Sequence, residues 1–273
     1  MNPKPGRVVL LGHPVGHSLS PRLQNAAIRA AGIAARYEAL DVEPTAFDTT
    51  LARLKAERAA GNVTIPHKER MRDACDALTP LAERVGAVNT WWVDGGDRLH
   101  GDNTDVGGFR AAVAELLGEE PRDLTVGVLG AGGAAAAVLA AVEAWPRCYA
   151  HVYNRTPERA HVLCERFSTV SQPVDDVGVI AGSQLVVNAT SIGLRHGDPM
   201  PIEPGLVRPD CVVMDLVYRP GETAFVRALR ARGIRAADGL RMLVEQAALA
   251  FDRWFGVAPD RSVMWEAATR ASG

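Results

Sequence analysis

An apolar strand, Val126-Gly127-Val128-Leu129, runs directly into Gly130-Ala131-Gly132-Gly133-Ala134-Ala135 and from there into an alanine-rich helix. That junction constrains the fold more than any other segment. A strand that ends in a glycine turn and opens a helix is the first half of a parallel βαβ unit. The unpaired amides and positive dipole end at the start of such a helix suit a pyrophosphate, and glycine lets the phosphates approach the backbone. Gly130, Gly132 and Ala135 meet the G-x-G-x-x-G/A spacing of a dinucleotide-binding turn. Glycine turns also occur simply to pack a helix on a sheet, but the strand before this one and the helix after it favour binding.

The end of the next strand sets the cofactor. NAD-binding proteins usually place an acid there, against the ribose 2′-hydroxyl. This chain carries Asn154-Arg155-Thr156-Pro157-Glu158-Arg159 instead. Two guanidinium groups and a hydroxyl suit a 2′-phosphate, so the expected cofactor is NADP. Cations in a first helical turn oppose the helix dipole, which makes a merely solvated helix start the poorer account of Arg155 and Arg159.

Elsewhere the chain alternates in the same way. Strands are expected over 7–12, 37–42 and 62–65, with helices opened by Ser20-Pro21, over 44–59 and after Pro66. Two runs, 87–93 and 98–101, flank Asp94-Gly95-Gly96-Asp97, a hairpin signal that predicts an antiparallel edge. A helix from Asp105 to about Leu117 ends at Gly118-Glu119-Glu120-Pro121. Beyond the glycine turn, strands are expected over 148–153, 185–188 and 211–216, with helices from 157 and 222. A last apolar helix, 240–254, sets Met242, Leu243, Gln246, Leu249, Ala250 and Trp254 near one face and is expected to fold back on the first domain. The expected fold class is α/β with two domains. An N-terminal substrate-binding domain with a mixed, mainly parallel sheet spans 1–104 and is completed by helices in 240–273; a Rossmann-like NADP-binding domain spans 105–239.

Composition narrows the partners. The net charge is −2 and no Lys/Arg block stands out, which argues against nucleic acid and a polybasic membrane patch. Cys75, Cys148, Cys164 and Cys211 are scattered, with no His at ligand spacing, so neither a metal site nor a disulfide framework is expected. No apolar run reaches roughly 18 to 20 residues, and residues 1–12 lack a leader pattern. The expectation is a cytoplasmic protein with a small-molecule partner, as a monomer or homodimer.

A second constellation carries the chemistry. Gly61-Asn62-Val63-Thr64-Ile65-Pro66-His67-Lys68 and Gly101-Asp102-Asn103-Thr104-Asp105 offer a lysine and a carboxylate among uncharged hydrogen-bonding groups. Hydride arriving at a carbonyl carbon leaves negative charge on oxygen, which an ammonium stabilises and then protonates. Oxidation of an alcohol there needs a proton acceptor, so oxidative turnover is expected to rise toward alkaline pH. Ser18-Leu19-Ser20 can donate to a substrate carboxylate. Blander readings exist for each: Ser20 as a helix cap before Pro21, Asp105 as an N-cap after Thr104, Lys68 as a surface lysine. His17 is expected to order the serine loop and His67 to face away from Lys68.

The motifs Gly12-x-Pro14-x-x-His17-Ser18-x-Ser20-Pro21, Asn62-Val63-Thr64-x-Pro66-x-Lys68, Ala87-Val88-Asn89-Thr90, Asn103-Thr104-Asp105, Gly130-Ala131-Gly132-Gly133-Ala134, Asn154-Arg155-Thr156, Asn188-Ala189-Thr190-Ser191-x-Gly193, Asp215-x-x-Tyr218-x-Pro220 and Gly239-x-x-Met242-Leu243-x-x-Gln246-Ala247 follow one another in the order seen in shikimate dehydrogenases. The chain resembles that family from near its start to Trp254. The resemblance implies reversible, NADPH-dependent reduction of 3-dehydroshikimate to shikimate in aromatic amino acid biosynthesis. It implies that Ser18 and Ser20 hold the carboxylate, while Asn62, Thr64, Asn89, Asp105, Tyr218 and Gln246 surround the ring. Lys68 matches the catalytic lysine and Asp105 its partner. Gly130, Ala131, Gly132, Gly133 and Ala134 match one cofactor loop, Asn154, Arg155, Thr156 and Arg159 another, and Thr190, Leu216, Gly239 and Met242 fall near the nicotinamide. Substrate and nicotinamide are expected to meet in a cleft between the domains, with hinge closure.

Three positions depart from the common pattern: Gln24, where a His often stands, Ala136, where an Arg often follows the glycine turn, and Val106, where Gly is frequent. They leave room for quinate or aminoshikimate as substrate. A non-catalytic ligand sensor is the reading from another class; its sign is a missing Lys or Asp, and both are present.

Overall fold

The computed structural model describes residues 5–219 and 221–270, so Pro220 of the Tyr218-x-Pro220 motif lies outside the described residues. It divides into two compact units, Met1–Gly108 with Leu243–Gly273, and Phe109–Met242.

Strand and helix alternate in the first unit: β1 (Arg7–Gly12), α1 (Ser20–Ala30), β2 (Arg36–Asp41), α2 (Phe47–Ala56), β3 (Ala60–Val63), α3 (Lys68–Ala74), β4 (Ala77–Leu78), α4 (Pro80–Val85), β5 (Thr90–Val93) and β6 (Leu99–Asp102). The strands lie in the order β2-β1-β3-β5-β6-β4. β5 runs antiparallel to both β3 and β6, and every other pair is parallel. The expected antiparallel edge is therefore corrected: the reversed strand β5 lies inside the sheet, flanked by β3 and β6, and the short β4 pairing beyond β6 makes the outermost pair parallel. The hairpin itself forms as expected, with Asp94 Oδ1 accepting from the amides of Gly96 (2.8 Å) and Arg98 (3.0 Å). Trp91 on β5 is fully buried among Val9, Leu54, Val63, Met71 and Leu99, a position that burial on both faces of an interior strand provides.

Other differences sit at element ends. The helix expected over 44–59 starts as a 3-10 turn, Pro44–Ala46, and stops at Ala56, because Arg58 takes a left-handed φ of 53°. β3 consequently begins two residues before Asn62. The strand expected from 87 starts only at Thr90, which leaves Ala87, Val88 and Asn89 as a connecting loop. β4 and α4 went unanticipated, since elements of 2 and 6 residues carry too little periodicity to read.

α5 (Asp105–Leu117) carries the chain out of the first unit. The second contains β7 (Thr125–Leu129), α6 (Gly133–Ala144), β8 (Tyr149–Tyr153), α7 (Pro157–Arg166), β9 (Ser171–Pro173), α8 (Val177–Ala181), β10 (Leu185–Asn188), β11 (Val212–Asp215), α9 (Ala224–Ala231) and β12 (Arg235–Ala237). Its sheet, ordered β12-β11-β10-β7-β8-β9, is parallel throughout. β10 is buried along its whole length and β7 after its first residue, which explains their continuous apolar runs. The strand order reverses between β7 and β10, and ligands of open α/β sheets bind outside the carboxyl ends of the strands at such a point.

α10 (Leu240–Phe255) and α11 (Arg261–Thr269) close the chain, and from Leu243 onward they belong to the first unit. Trp254 Nε1 donates to Trp91 O (3.2 Å) and Gln24 Nε2 to Ala247 O (2.9 Å). Leu249, expected on the buried face, is 36% exposed. The unit boundaries fall inside α5 and α10, whereas the sequence reading divides the chain where those helices begin. Among the described residues no helix is long and apolar enough to cross a membrane.

Candidate active site

Lys68 is the first residue of α3 and Asp105 the first of α5. Lys68 Nζ donates to Asp105 Oδ2 at 2.6 Å, with side-chain exposures of 17% and 9%. So sheltered a lysine is no solvated surface cation, and Asp105 spends its carboxylate on partners other than its own helix. Its Oδ1 accepts from Asn89 Nδ2 (2.8 Å). Asn89 in turn accepts from Thr104 N at Oδ1 (2.7 Å), and Asn103 Nδ2 donates to Ala87 O (2.9 Å). The loop before β5 and the loop after β6 are thereby sewn together, which fixes where the carboxylate points. Gln246 of α10 brings Oε1 to 3.4 Å from Asn89 Nδ2 and 3.5 Å from Thr104 Oγ1.

Around this pair the structure separates the remaining candidates. The N-cap of α1 falls on Leu19, which has no capping side chain, so Ser20 is not spent as a helix cap. Ser18 Oγ accepts from Ser20 N (3.2 Å), which orders the serine loop without His17. His17 is exposed, contrary to the role expected for it. His67 turns away from Lys68, with Nε2 on Val42 O (2.6 Å) and its ring stacked on Phe47. Thr64 holds its loop through the backbone, its amide donating to Leu11 O (2.8 Å) and its carbonyl accepting from His67 N (2.9 Å). Asn62, like Asn89, has both ends of its amide engaged inside the unit, but none of its partners is Lys68 or Asp105: Oδ1 accepts from Tyr37 Oη (2.9 Å) and Nδ2 donates to Asn89 O (3.1 Å) and Thr90 Oγ1 (3.0 Å).

In the second unit the candidates gather at the carboxyl ends of β7, β10 and β11. Gly130 closes β7 at φ +108°, and a Cβ there would meet Ala189 O at 3.0 Å and Thr190 Cγ2 at 3.1 Å, so the two turns flanking the reversal of strand order touch only because residue 130 is glycine. Gly132 caps α6 without a side-chain hydrogen bond, which leaves the first amides of that helix for an anion. Thr190 Oγ1 donates to Asn188 Oδ1 (2.6 Å), and Asn188 Nδ2 donates to Asp215 Oδ1 (2.8 Å). Asp215 also accepts from Thr223 Oγ1 (2.7 Å) and Val217 N (3.1 Å). Burial pushes its carboxyl above the usual range, opposed by these hydrogen bonds. Gly239 donates its amide to Val217 O (3.0 Å) and lies against Leu216 O closer than any side chain permits. Tyr218 follows in the same stretch, and Met242 is buried on α10.

After β8, Asn154 Nδ2 donates to Thr156 O (2.8 Å), and Thr156 caps α7 without using its hydroxyl. Arg155 and Arg159 are exposed, and among the described residues neither enters an ion pair. The glycine cradle, the uncapped start of α6 and the two guanidinium groups are the donor set that a dinucleotide with an extra phosphate requires.

Family models match at two places: the shikimate dehydrogenase substrate binding domain over residues 10–91 and the shikimate 5'-dehydrogenase C-terminal domain over residues 239–269. A shikimate dehydrogenase (NADP(+)) of Methylocella silvestris is 41% identical over an alignment covering 95% of this chain and 94% of the relative. The chain belongs to the shikimate dehydrogenase family. Solved structures agree. Shikimate dehydrogenase from Aquifex aeolicus superposes with a TM-score of 0.91 at 34% identity, covering 99% of this chain and 100% of its own. The Thermus thermophilus enzyme, solved in complex with NADP(H) and shikimate, gives 0.86 at 40% identity, covering 96% and 98%.

The three departures from the family pattern are all buried. Gln24 is fully enclosed against α10, Val106 is 4% exposed and Ala136 is 3% exposed within α6. At Ala136 the helix faces its own core, so this position sends no side chain toward the glycine turn. Two groups stayed without a role in the sequence reading although their motifs were singled out: Thr90 beside Asn89, and Asp215 with Asn188. Their signal was a small polar residue fixed at a strand end, which spacing alone does not distinguish from a turn former.

Proposed function

We propose that this member of the shikimate dehydrogenase family catalyses the reversible, NADPH-dependent reduction of 3-dehydroshikimate to shikimate, in the route to aromatic amino acids. The observation that carries the reading is the sheltered Lys68–Asp105 pair at 2.6 Å, a charged donor held where neutral hydrogen-bonding groups converge. When bound, NADPH supplies the hydride. As the substrate oxygen gains charge, the Lys68 ammonium stabilises it and transfers a proton to it; in the oxidative direction Lys68 takes the proton back. Asp105, held by Asn89, orients the ammonium and accepts from a ring hydroxyl. Ser18 and Ser20 donate to the carboxylate, and Thr64, Asn89, Tyr218 and Gln246 complete the hydroxyl contacts. Gly130, Ala131, Gly132, Gly133 and Ala134 take the pyrophosphate; Asn154, Arg155, Thr156 and Arg159 take the 2′-phosphate; Thr190, Leu216, Gly239 and Met242 line the nicotinamide side. The first unit then acts as the substrate domain and the second as the cofactor domain.

The test is turnover of shikimate and of quinate, each with NADP and with NAD. Shikimate with NADP is expected to be preferred. Quinate as the better substrate would move the protein to the quinate branch, and preference for NAD would remove the role given to Arg155 and Arg159.

A further inference from the structure

Asn62 was expected at the substrate ring, yet its amide is consumed within the first unit. Four hydrogen bonds run in one direction through its position. Tyr37 Oη donates to Asn62 Oδ1 (2.9 Å), Asn62 Nδ2 to Thr90 Oγ1 (3.0 Å), Thr90 Oγ1 to Asn89 Oδ1 (3.0 Å), and Asn89 Nδ2 to Asp105 Oδ1 (2.8 Å). The phenol reaches from β2 across β1 to β3, and the chain continues through β5 to the start of α5.

The orientation of both amides is set by backbone groups that have only one possible role, while the Thr90 hydroxyl between them lies 3.0 Å from both Asn89 Oδ1, which can only accept, and Thr104 Oγ1. Asn62 Nδ2 also faces the carbonyl of Asn89 (3.1 Å), which can only accept, so the nitrogen must be on that side. Asn89 Oδ1 receives the amide of Thr104 (2.7 Å), which can only donate, so Nδ2 must face Asp105. Neither amide can flip without losing a buried bond. From Tyr37 to Asp105 the five residues are 1%, 5%, 0%, 3% and 6% exposed, so water offers no competing partner, and aligned hydrogen bonds in such surroundings polarise one another.

We propose that Tyr37, Asn62 and Thr90 are positioning residues for the reaction. Through Asn89 they lock the Asp105 carboxylate in the orientation that holds Lys68, and Asn62 acts here rather than on the substrate. This rests on the catalytic roles proposed above for Lys68 and Asp105. Thr90 is the link whose removal is cleanest, since valine keeps its shape.

The experiment compares Thr90→Val, Thr90→Ser and Tyr37→Phe with the parent protein. For Thr90→Val, kcat per folded molecule is expected to fall about tenfold, with KM for shikimate and NADP within about twofold. Thr90→Ser keeps the hydroxyl and should restore kcat to within about twofold of the parent, while Tyr37→Phe, at the far end, lowers it about threefold. Parent-like kcat in Thr90→Val, or an equal loss in Thr90→Ser, overturns the proposal. Should Thr90→Val not fold, Tyr37→Phe decides: an unchanged kcat overturns it. Should the parent turn over no shikimate, the functional reading fails on its own. The chain is then judged by NMR of the Asn62 and Asn89 side-chain amides, which must be slow to exchange and must shift in Tyr37→Phe; rapid exchange or unmoved signals refute it.

Discussion

In the first unit, polar side chains at the strand ends hold one another: Lys68 holds Asp105, Asn89 holds Asp105 and Thr104, and Asn62 holds Thr90. In the second, a side-chain network is confined to the ends of β10 and β11, where Thr190, Asn188, Asp215 and Thr223 hold one another, and the rest of the corresponding edge is shaped by backbone, with Gly130 against Ala189, Gly239 against Leu216, an uncapped α6, and two guanidinium groups left open beyond β8. The contrast teaches where each part of the work can be lost. A pre-bonded side-chain site is rigid before substrate arrives, so its members act on the chemical step. A backbone cradle reads shape and phosphate charge, so changes there act on cofactor affinity and on folding.

Asp105→Asn presses hardest on that division. It keeps the size of the side chain and removes the charge that orients Lys68, and kcat should fall about 10²- to 10⁴-fold while NADPH affinity, measured by fluorescence titration, stays put. An equal loss of cofactor affinity would break the comparison. Gly130→Ala places a methyl group at a φ of +108° and 3.0 Å from Ala189 O. The expected cost is about 1–3 kcal/mol of stability in urea unfolding, joined by a raised KM for NADP; an unperturbed variant would mean the cradle tolerates a side chain.

Removing Arg155 or Arg159 as alanine should weaken NADP about tenfold each and leave NAD unchanged, so the NADP to NAD ratio of kcat/KM is the quantity to follow. The smallest effect concerns Asp215. Its carboxyl sits above the usual range in the folded state through burial, so the folded protein binds the proton more tightly than the unfolded one. Stability from this group is present below the ordinary carboxylate pKa and is lost as pH rises through the folded value. Asp215→Asn should therefore improve in melting temperature relative to the parent as pH rises from about 4 to about 6. A difference that is constant with pH would remove burial as the cause.

Much of this was legible in the sequence, for reasons that differ by region. The second unit's parallel sheet follows from apolar runs alternating with helices, and the Gly130 turn from spacing that leaves little choice to the backbone. Lys68 and Asp105 stood out because each ends a run with uncharged polar groups, Asn62 and Thr64 before the one and Asn103 and Thr104 before the other. What escaped was tertiary. The interior placement of β5 depends on its long-range pairing with β3, and the parallel outermost pair on where the two-residue β4 pairs, and nothing local announces either. The partners of Asn62 lie 25 and 28 residues away on other strands, so the same amide read as a ring contact from its motif and proves to be engaged by Tyr37 and Thr90. Likewise Leu249 fits the apolar stripe of α10 by period, yet stays partly open.

The most direct test of the whole account is Lys68→Met, assayed for oxidation of NADPH with saturating 3-dehydroshikimate, with calorimetric titration of shikimate and of NADPH on the same preparations. Turnover is predicted to fall at least about 10³-fold while both ligands still bind within a few-fold of the parent. Parent-like turnover, or binding of both ligands lost together with turnover, would contradict it.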